Sequence, residues 1–261
     1  MPQFFASIVE RLKRSKYVNL SSHVLSLLRH DVALWPEHLD DEGLRGLGRV
    51  LVLTPHPDDE VFGMGGTMVR LRDLGAPLSI TWFTNAEEPT RKAESRAVLD
   101  RLVPEMTDDE AFPLPGEHVL VGESTGVIRE RIAAFQPDTI CLPSVFDTHT
   151  DHVRLVLALG EVIRRDRWAG RVLQYEVWST LVPNRLVDIT AAMPEKRELM
   201  NLYRSQLRQD MLNYVDRIEA LNRYRGLGGC DDWAEAFTLT TAAEFAGMVR
   251  RTKRLPPHAA L

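Results

Sequence analysis

The chain has 261 residues, 44% hydrophobic and 26% charged, which are the proportions of an ordinary globular protein and exclude a disordered or fibrous one. Lys and Arg total 32 against 37 Asp and Glu, and the net charge of −5 gives no general electrostatic footprint for nucleic acid. Two cysteines, Cys141 and Cys230, form no CxxC pair, and no apolar run reaches the roughly 18 residues of a membrane span; a reduced, cytoplasmic setting is expected, with no integral membrane segment.

Residues 1–48 read as a helical N-terminal extension, with Phe4, Phe5, Ile8 and Leu12 at helical spacing and Arg11, Lys13, Arg14 and Lys16 giving one basic face. The expected arrangement is a helix docked on the core with that face solvated; the alternative is a basic amphipathic helix resting on an anionic membrane or a partner. From Arg49 the pattern alternates. Short apolar runs predict strands at 50–53, 78–83, 119–121, 140–142, 172–178 and 186–189, and helical periodicity predicts helices at 65–74, 91–102, 127–135, 152–165 and 195–223. Continuous apolar strands separated by helices predict an α/β, Rossmann-like domain over 49–245, a largely parallel sheet with helices on both faces. Residues 246–261 read as a basic, Pro-broken C-terminal tail.

The first predicted strand runs into Thr54-Pro55-His56-Pro57-Asp58-Asp59-Glu60, with Gly63, Gly65 and Gly66 just beyond. Ligands of parallel α/β sheets bind at the carboxyl ends of the strands, where this segment falls. An acidic helix N-terminus explains Asp58, Asp59 and Glu60 through the helix dipole but leaves His56 unexplained. Like-charge repulsion among three carboxylates at a core rim calls for compensation, which a bound cation supplies. A second cluster, Asp147-Thr148-His149-Thr150-Asp151-His152, follows the strand predicted at 140–142, so the two loops can meet. HExxH, Walker A and GxGxxG patterns are absent, which removes the corresponding enzyme classes. Arg204, Arg208, Arg217, Arg223 and Arg225 read as a salt-bridged solvated face rather than an anion-binding rim, and Trp178 as the tryptophan placed to stack on a ligand. His23, His30, His38, His118 and His258 have no companion cluster and read as structural or surface residues.

His56-Pro57-Asp58-Asp59-Glu60, Gly65-Gly66-Thr67, Arg91-Lys92-Ala93-Glu94 and Asp147 to His152 resemble the PIG-L (LmbE-like) family of zinc-dependent N-deacetylases. The likeness continues through Glu176-Val177-Trp178, Leu186 to Thr190, Lys196, Ser205-Gln206, Asn222 to Gly226 and Ala234 to Phe237, in order. The resemblance implies one zinc ion per chain held by His56, Asp59 and His152; by the general order of metal affinities, other divalent metals can occupy the same ligands. It also implies Asp58 as general base on the metal-activated water, His149 as acid and oxyanion stabiliser held cationic by Asp151, and Arg91 as a substrate contact. The position two residues before His149 carries Asp147, where the mycothiol-pathway enzymes have an assisting tyrosine, and Pro55 stands where Ala is usual.

The expected reaction is removal of an N-acetyl or other N-acyl group from an amino sugar or aminoglycoside-like glycoside. The alternatives are a zinc amidase acting on a thiol conjugate or a natural-product acyl amide, and a non-catalytic sugar- or partner-binding relative. The expected partner is the small-molecule substrate, and the sequence leaves homo-oligomerisation open.

Overall fold

The computed structural model describes residues 36–85, 88–209 and 213–252. The extension expected over 1–35, the end of the basic tail from 253, and His23, His30 and His258 lie outside the described residues. The chain divides after Pro36, and the unit that follows is an α/β body.

Its strands are β1 (Glu37–His38), β2 (Val50–Thr54), β3 (Leu78–Trp82), β4 (Thr139–Pro143), β5 (Arg171–Tyr175), β6 (Arg185–Asp188) and β7 (Ala234–Thr241). They form one seven-stranded sheet in the order β1-β6-β7-β5-β4-β2-β3. All neighbouring pairs are parallel except those of β7, which runs antiparallel to β5 and β6. β2 is an interior strand beside the β3 edge, pairing Val50 with Leu78 on one side and with Thr139 on the other, and every residue of it is buried. That burial on both faces is why its sequence, Val-Leu-Val-Leu-Thr, runs apolar without alternation.

The helices are α1 (Asp41–Arg45), α2 (Asp59–Asp73), α3 (Pro89–Leu102), α4 (Asp108–Ala111), α5 (Val121–Phe135), α6 (Thr150–Asp166), α7 (Met193–Leu202), α8 (Arg204–Gln209), α9 (Tyr214–Gly226) and α10 (Ala242–Thr252). One apolar core joins Val61, Met64 and Met68 of α2 to Val98 and Leu99 of α3 and to Leu199 and Met200 of α7. A second joins Val127 and Ile128 of α5 to Leu155 and Leu159 of α6 and to Phe245 and Val249 of α10. The sheet thus carries two apolar layers, as the α/β reading expects.

Several predicted elements change. No strand forms at 119–121, because the Val119 N–H is spent on the Asp151 carboxylate (3.1 Å) and Val121 opens α5. The helix predicted over 195–223 is three helices, broken at Tyr203, whose phenol turns into the core to bond Glu60. α2 starts at Asp59 rather than Gly65, and it bends at Met64 (φ −147, ψ 23). β7 carries a fully buried Glu235, which disguises a strand as polar sequence. Residues 37–48 and α10 join the same α/β body: β1 pairs with β6 through His38 and Leu186, and Phe245 and Val249 of α10 are buried.

α2 lies very close to the sheet. A Cβ on Gly63 would stand 2.3 Å from Tyr175 Cδ2, and one on Gly66 would stand 2.8 Å from Ile189 Cβ. Glycine here is a packing requirement that brings the N-terminus of α2 against the strand ends.

Candidate active site

β2 leads to β3 on one side and, through the later crossover, is flanked by β4 on the other, so the strand order reverses between β2 and β4. That is the topological switch point, where the carboxyl-end loops diverge and leave a crevice. The loop after β2 carries His56 to Asp59, and the loop after β4 carries Asp147 to His152.

His56, Asp59 and His152 meet there. Asp59 Oδ2 lies 3.0 Å from His56 Nδ1 and 3.0 Å from His152 Nε2, and it also accepts the His56 backbone N–H at 3.0 Å. The edge of a tetrahedral zinc site with nitrogen and oxygen ligands is about 3.3 Å, so these oxygen–nitrogen separations suit a shared ion. His152 is fully buried, and neither ring nitrogen makes a hydrogen bond of good geometry, although carboxylate oxygens of Asp59 and Asp147 lie at 3.0 and 3.2 Å. A buried imidazole whose nitrogens are aimed at carboxylates without bonding them is suited to coordination. The nitrogens of His56, His149 and His152 also fall within 4.8 Å of one another, a second grouping that shares two members with the first.

Electrostatics favour positive charge at this point. Burial lowers the His56 pKa, but the Asp151 and Asp59 carboxylates outweigh it and raise the value to about 9. His152 is raised to about 10, the Asp59 and Asp147 carboxylates overcoming the desolvation. Asp59 is held well below the usual carboxylate range by the two imidazoles despite its burial. A site that collects protons this strongly is one a dication can occupy in their place.

Asp58 precedes α2 with φ 119 and ψ −34, a strained conformation for a residue with a Cβ, and its side chain makes no capping bond. The carboxyl lines the cleft, and burial followed by the charges of Asp59 and Glu60 raises its pKa well above the ordinary value. Asp147 ties its own loop together. Its Oδ1 accepts the His149 N–H (2.9 Å) and its Oδ2 the Trp178 N–H (3.2 Å).

The expected pairing of Asp151 with His149 is corrected. His149 caps α6, and its Nδ1 accepts the backbone N–H of Asp151 at 3.2 Å. The Asp151 carboxylate turns instead to His56 Nε2 (3.3 Å), His118 Nδ1 (3.3 Å), Arg154 Nη1 (3.0 Å) and the Val119 N–H. Burial and the charges of His56 and His152 lower the His149 pKa, so this ring is disposed to be neutral rather than cationic. His118, read from sequence as an isolated surface histidine, belongs to the site rim through Asp151.

The cleft above these residues is about 420 Å³, within the range of small-molecule sites. Asn85, Arg91, Glu117, His118 and Gln206 contribute polar lining, and Arg91 is oriented by Gln206 Oε1 at 2.6 Å. Phe62, Val177, Trp178, Tyr214 and Ile218 contribute apolar lining. Trp178 is 49% exposed, stands edge-on to Tyr214 at 5.6 Å and lies 6.1 Å from the His149 ring. Phe62, Tyr214, Asn85 and Glu117 were not singled out from sequence, because they come from four separate segments and only the fold collects them. Arg223 and Arg225 lie away from this lining: exposed Arg223 pairs with Asp232, as the solvated salt-bridged reading expects, whereas Arg225 departs from it, being largely buried against Glu176 and the Leu181 carbonyl.

Residues 51–163 match the protein family PIG-L, described as GlcNAc-PI de-N-acetylase, and this segment holds both site loops. The diacetylchitobiose deacetylase of Thermococcus kodakarensis is 25% identical over 199 residues, which span 66% of this chain and 74% of that protein. Among solved structures, the N,N'-diacetylchitobiose deacetylase of Pyrococcus horikoshii aligns with a TM-score of 0.65 at 19% identity, covering 88% of this chain and 97% of that one. A conserved protein of Thermus thermophilus aligns with a TM-score of 0.56 at 26% identity, covering 72% and 93%. Residues 51–163 are thus similar to the PIG-L family, and the chain shares the fold of the solved deacetylase structure. Among the described residues no helix is long and apolar enough to cross a membrane.

Proposed function

We propose that the protein is a metal-dependent N-deacetylase that hydrolyses the N-acetyl group of an amino sugar, with one divalent ion, zinc by the nature of the donors, held by His56, Asp59 and His152. The observation that carries the proposal is the convergence of these three side chains at the switch point, with the nitrogens of His152 unbonded and Asp58 facing the same cleft. Asp59 is preferred to His149 as third ligand because it touches both other donors, whereas His149 Nδ1 is committed to the α6 cap. The chemistry such an ion supplies when bound is Lewis acidity towards an amide carbonyl and a water.

Asp58 takes a proton from the attacking water, and its proton affinity, raised by burial and by the charges of Asp59 and Glu60, makes it a stronger base than an exposed carboxylate. With Nδ1 accepting a backbone N–H, His149 carries its proton on Nε2, and that N–H can donate a hydrogen bond to the oxyanion that develops on the carbonyl oxygen. The carbon–nitrogen bond then breaks, the proton held by Asp58 passes to the departing nitrogen, and acetate and a free amine result. The cleft lining suits a pyranose: Trp178 and Tyr214 offer faces for the apolar side of the ring, while Arg91, Asn85 and Glu117 offer partners for hydroxyls. The relatives named for diacetylchitobiose deacetylation support the N-acetylated amino sugar as substrate class.

The test is acetate release from N-acetylglucosamine and diacetylchitobiose by the zinc-loaded protein, with longer acyl amides as comparison. Release that a chelator abolishes and zinc restores is expected. Turnover confined to the longer acyl amides, or absent on every amide, would overturn the reading.

A further inference from the structure

We propose that Glu60 is a positioning residue for the reaction, holding the backbone of Asp58 in its strained conformation so that the Asp58 carboxyl is left free for the cleft. This rests on the deacetylase reading only for its activity measurements.

An aspartate at a helix N-cap ordinarily spends its side chain on the first free N–H groups of the helix. Asp58 does not; its side chain makes no such bond. Its backbone is pinned from both sides instead. The carbonyl accepts the N–H groups of Val61 and Phe62, each at 3.0 Å, which starts α2. The Asp58 N–H donates to Glu60 Oε2 at 3.2 Å. In a capping box a glutamate at N3 reaches back to the N-cap N–H; here Glu60, at N2, makes that bond, and the reciprocal bond that would consume the cap side chain is absent.

Glu60 can serve this way because it is fixed from elsewhere. It is fully buried, Oε2 also accepts the Trp82 indole N–H at 2.9 Å from the end of β3, and Oε1 accepts the Tyr203 phenol at 2.5 Å from the break between α7 and α8. Three segments far apart in sequence therefore determine the backbone angles of Asp58, and those angles set the direction of its Cα–Cβ bond. A strained backbone persists where its surroundings over-determine it, as they do here. Nothing in the reaction otherwise employs this carboxylate, which is buried at the cost of desolvation.

Glu60→Met removes the oxygen that the Asp58 and Trp82 N–H groups share as acceptor. With acetate release as the assay, kcat should fall about a hundredfold, as expected for a catalytic group displaced by about 1 Å, while KM and zinc content stay near wild type. Tyr203→Phe keeps the bond to Asp58 but loosens Glu60, and its kcat should fall about tenfold with KM unchanged. In a crystal structure of Glu60→Met, Asp58 should have left φ near 119. Wild-type kcat in folded Glu60→Met would overturn the proposal. So would a rise in KM alone, or zinc loss in proportion to activity, which would make Glu60 a support of Asp59 instead. If Glu60→Met does not fold, wild-type kcat in Tyr203→Phe overturns it. If the wild-type protein releases no acetate from any substrate, the deacetylase reading falls, and the Asp58 backbone in the variant crystal still decides this proposal.

Discussion

Replacing Lys196 by Met tests how α2 is held against the sheet. Lys196 is fully buried, and its Nζ donates to Glu235 Oε1 (2.6 Å), Asn222 Oδ1 (2.8 Å) and the Phe62 carbonyl (3.0 Å). Glu235, equally buried, also accepts the N–H groups of Gly66 (2.9 Å) and Thr67 (2.7 Å), so the ion pair bridges α7, α9 and β7 to the backbone of α2. Lys196→Met keeps most of the aliphatic stem but leaves a carboxylate and two carbonyl-type acceptors without their cation. Removing one partner of a buried pair costs about 3–5 kcal/mol, and the two N–H groups remaining on Glu235 favour the lower half of that range. Against a typical domain stability of roughly 5–15 kcal/mol this is a large loss. Urea unfolding at pH 8, followed by tryptophan fluorescence, should show the midpoint drop with little change in slope. Adding Glu235→Gln should restore part of the loss at pH 8 by removing the uncompensated charge. A cost below about 1 kcal/mol, or no recovery in the double variant, would refute the account of Glu235 as a buried anion dependent on Lys196.

Asp59→Ala and His152→Ala should each lose most bound zinc in metal analysis after dialysis, whereas His149→Ala should retain it; the opposite order would favour the three-histidine grouping. Asp58→Asn keeps a side chain tolerant of positive φ and should hold fold and zinc while kcat falls about 10²–10⁴-fold, a rate within tenfold of wild type removing Asp58 as base. Gly63→Ala drives a Cβ to within 2.3 Å of the Tyr175 ring and should lower stability by about 1–3 kcal/mol or more, measured by urea unfolding; a neutral effect would mean that α2 can shift away. Asp151→Asn weakens the hold on His118 and the Val119 N–H, so limited proteolysis should cut the segment before α5 faster than in wild type, and an unchanged rate would show that the segment is secured elsewhere.

The site's central residues were legible because each cluster is local. His56 to Glu60 and Asp147 to His152 are continuous segments following apolar strands, and a parallel sheet puts such segments at one edge by its connectivity. The same locality misled at His149 and Asp151, where a separation of two residues suggested a side-chain pair; the turn into α6 uses the Asp151 N–H for the cap and sends its carboxylate to His56 and His118.

Sequence by itself determined the α/β class, the parallel strands from β2 to β5, and the chemical types gathered at their ends, since hydrophobic periodicity and strand-end position are properties of short stretches. Tertiary structure alone decided what lies about those ends. Trp82 and Tyr203 reach Glu60 across 22 and 143 positions, and Glu235 reaches Gly66 across 169. Such partners are chosen by packing in three dimensions, and a buried Glu235 in β7 or a buried Tyr203 at a helix break leaves no periodic signal in the chain. The strained backbone of Asp58 is of the same kind, set by groups that converge on it only once the sheet, α2 and the α7–α8 turn are in place.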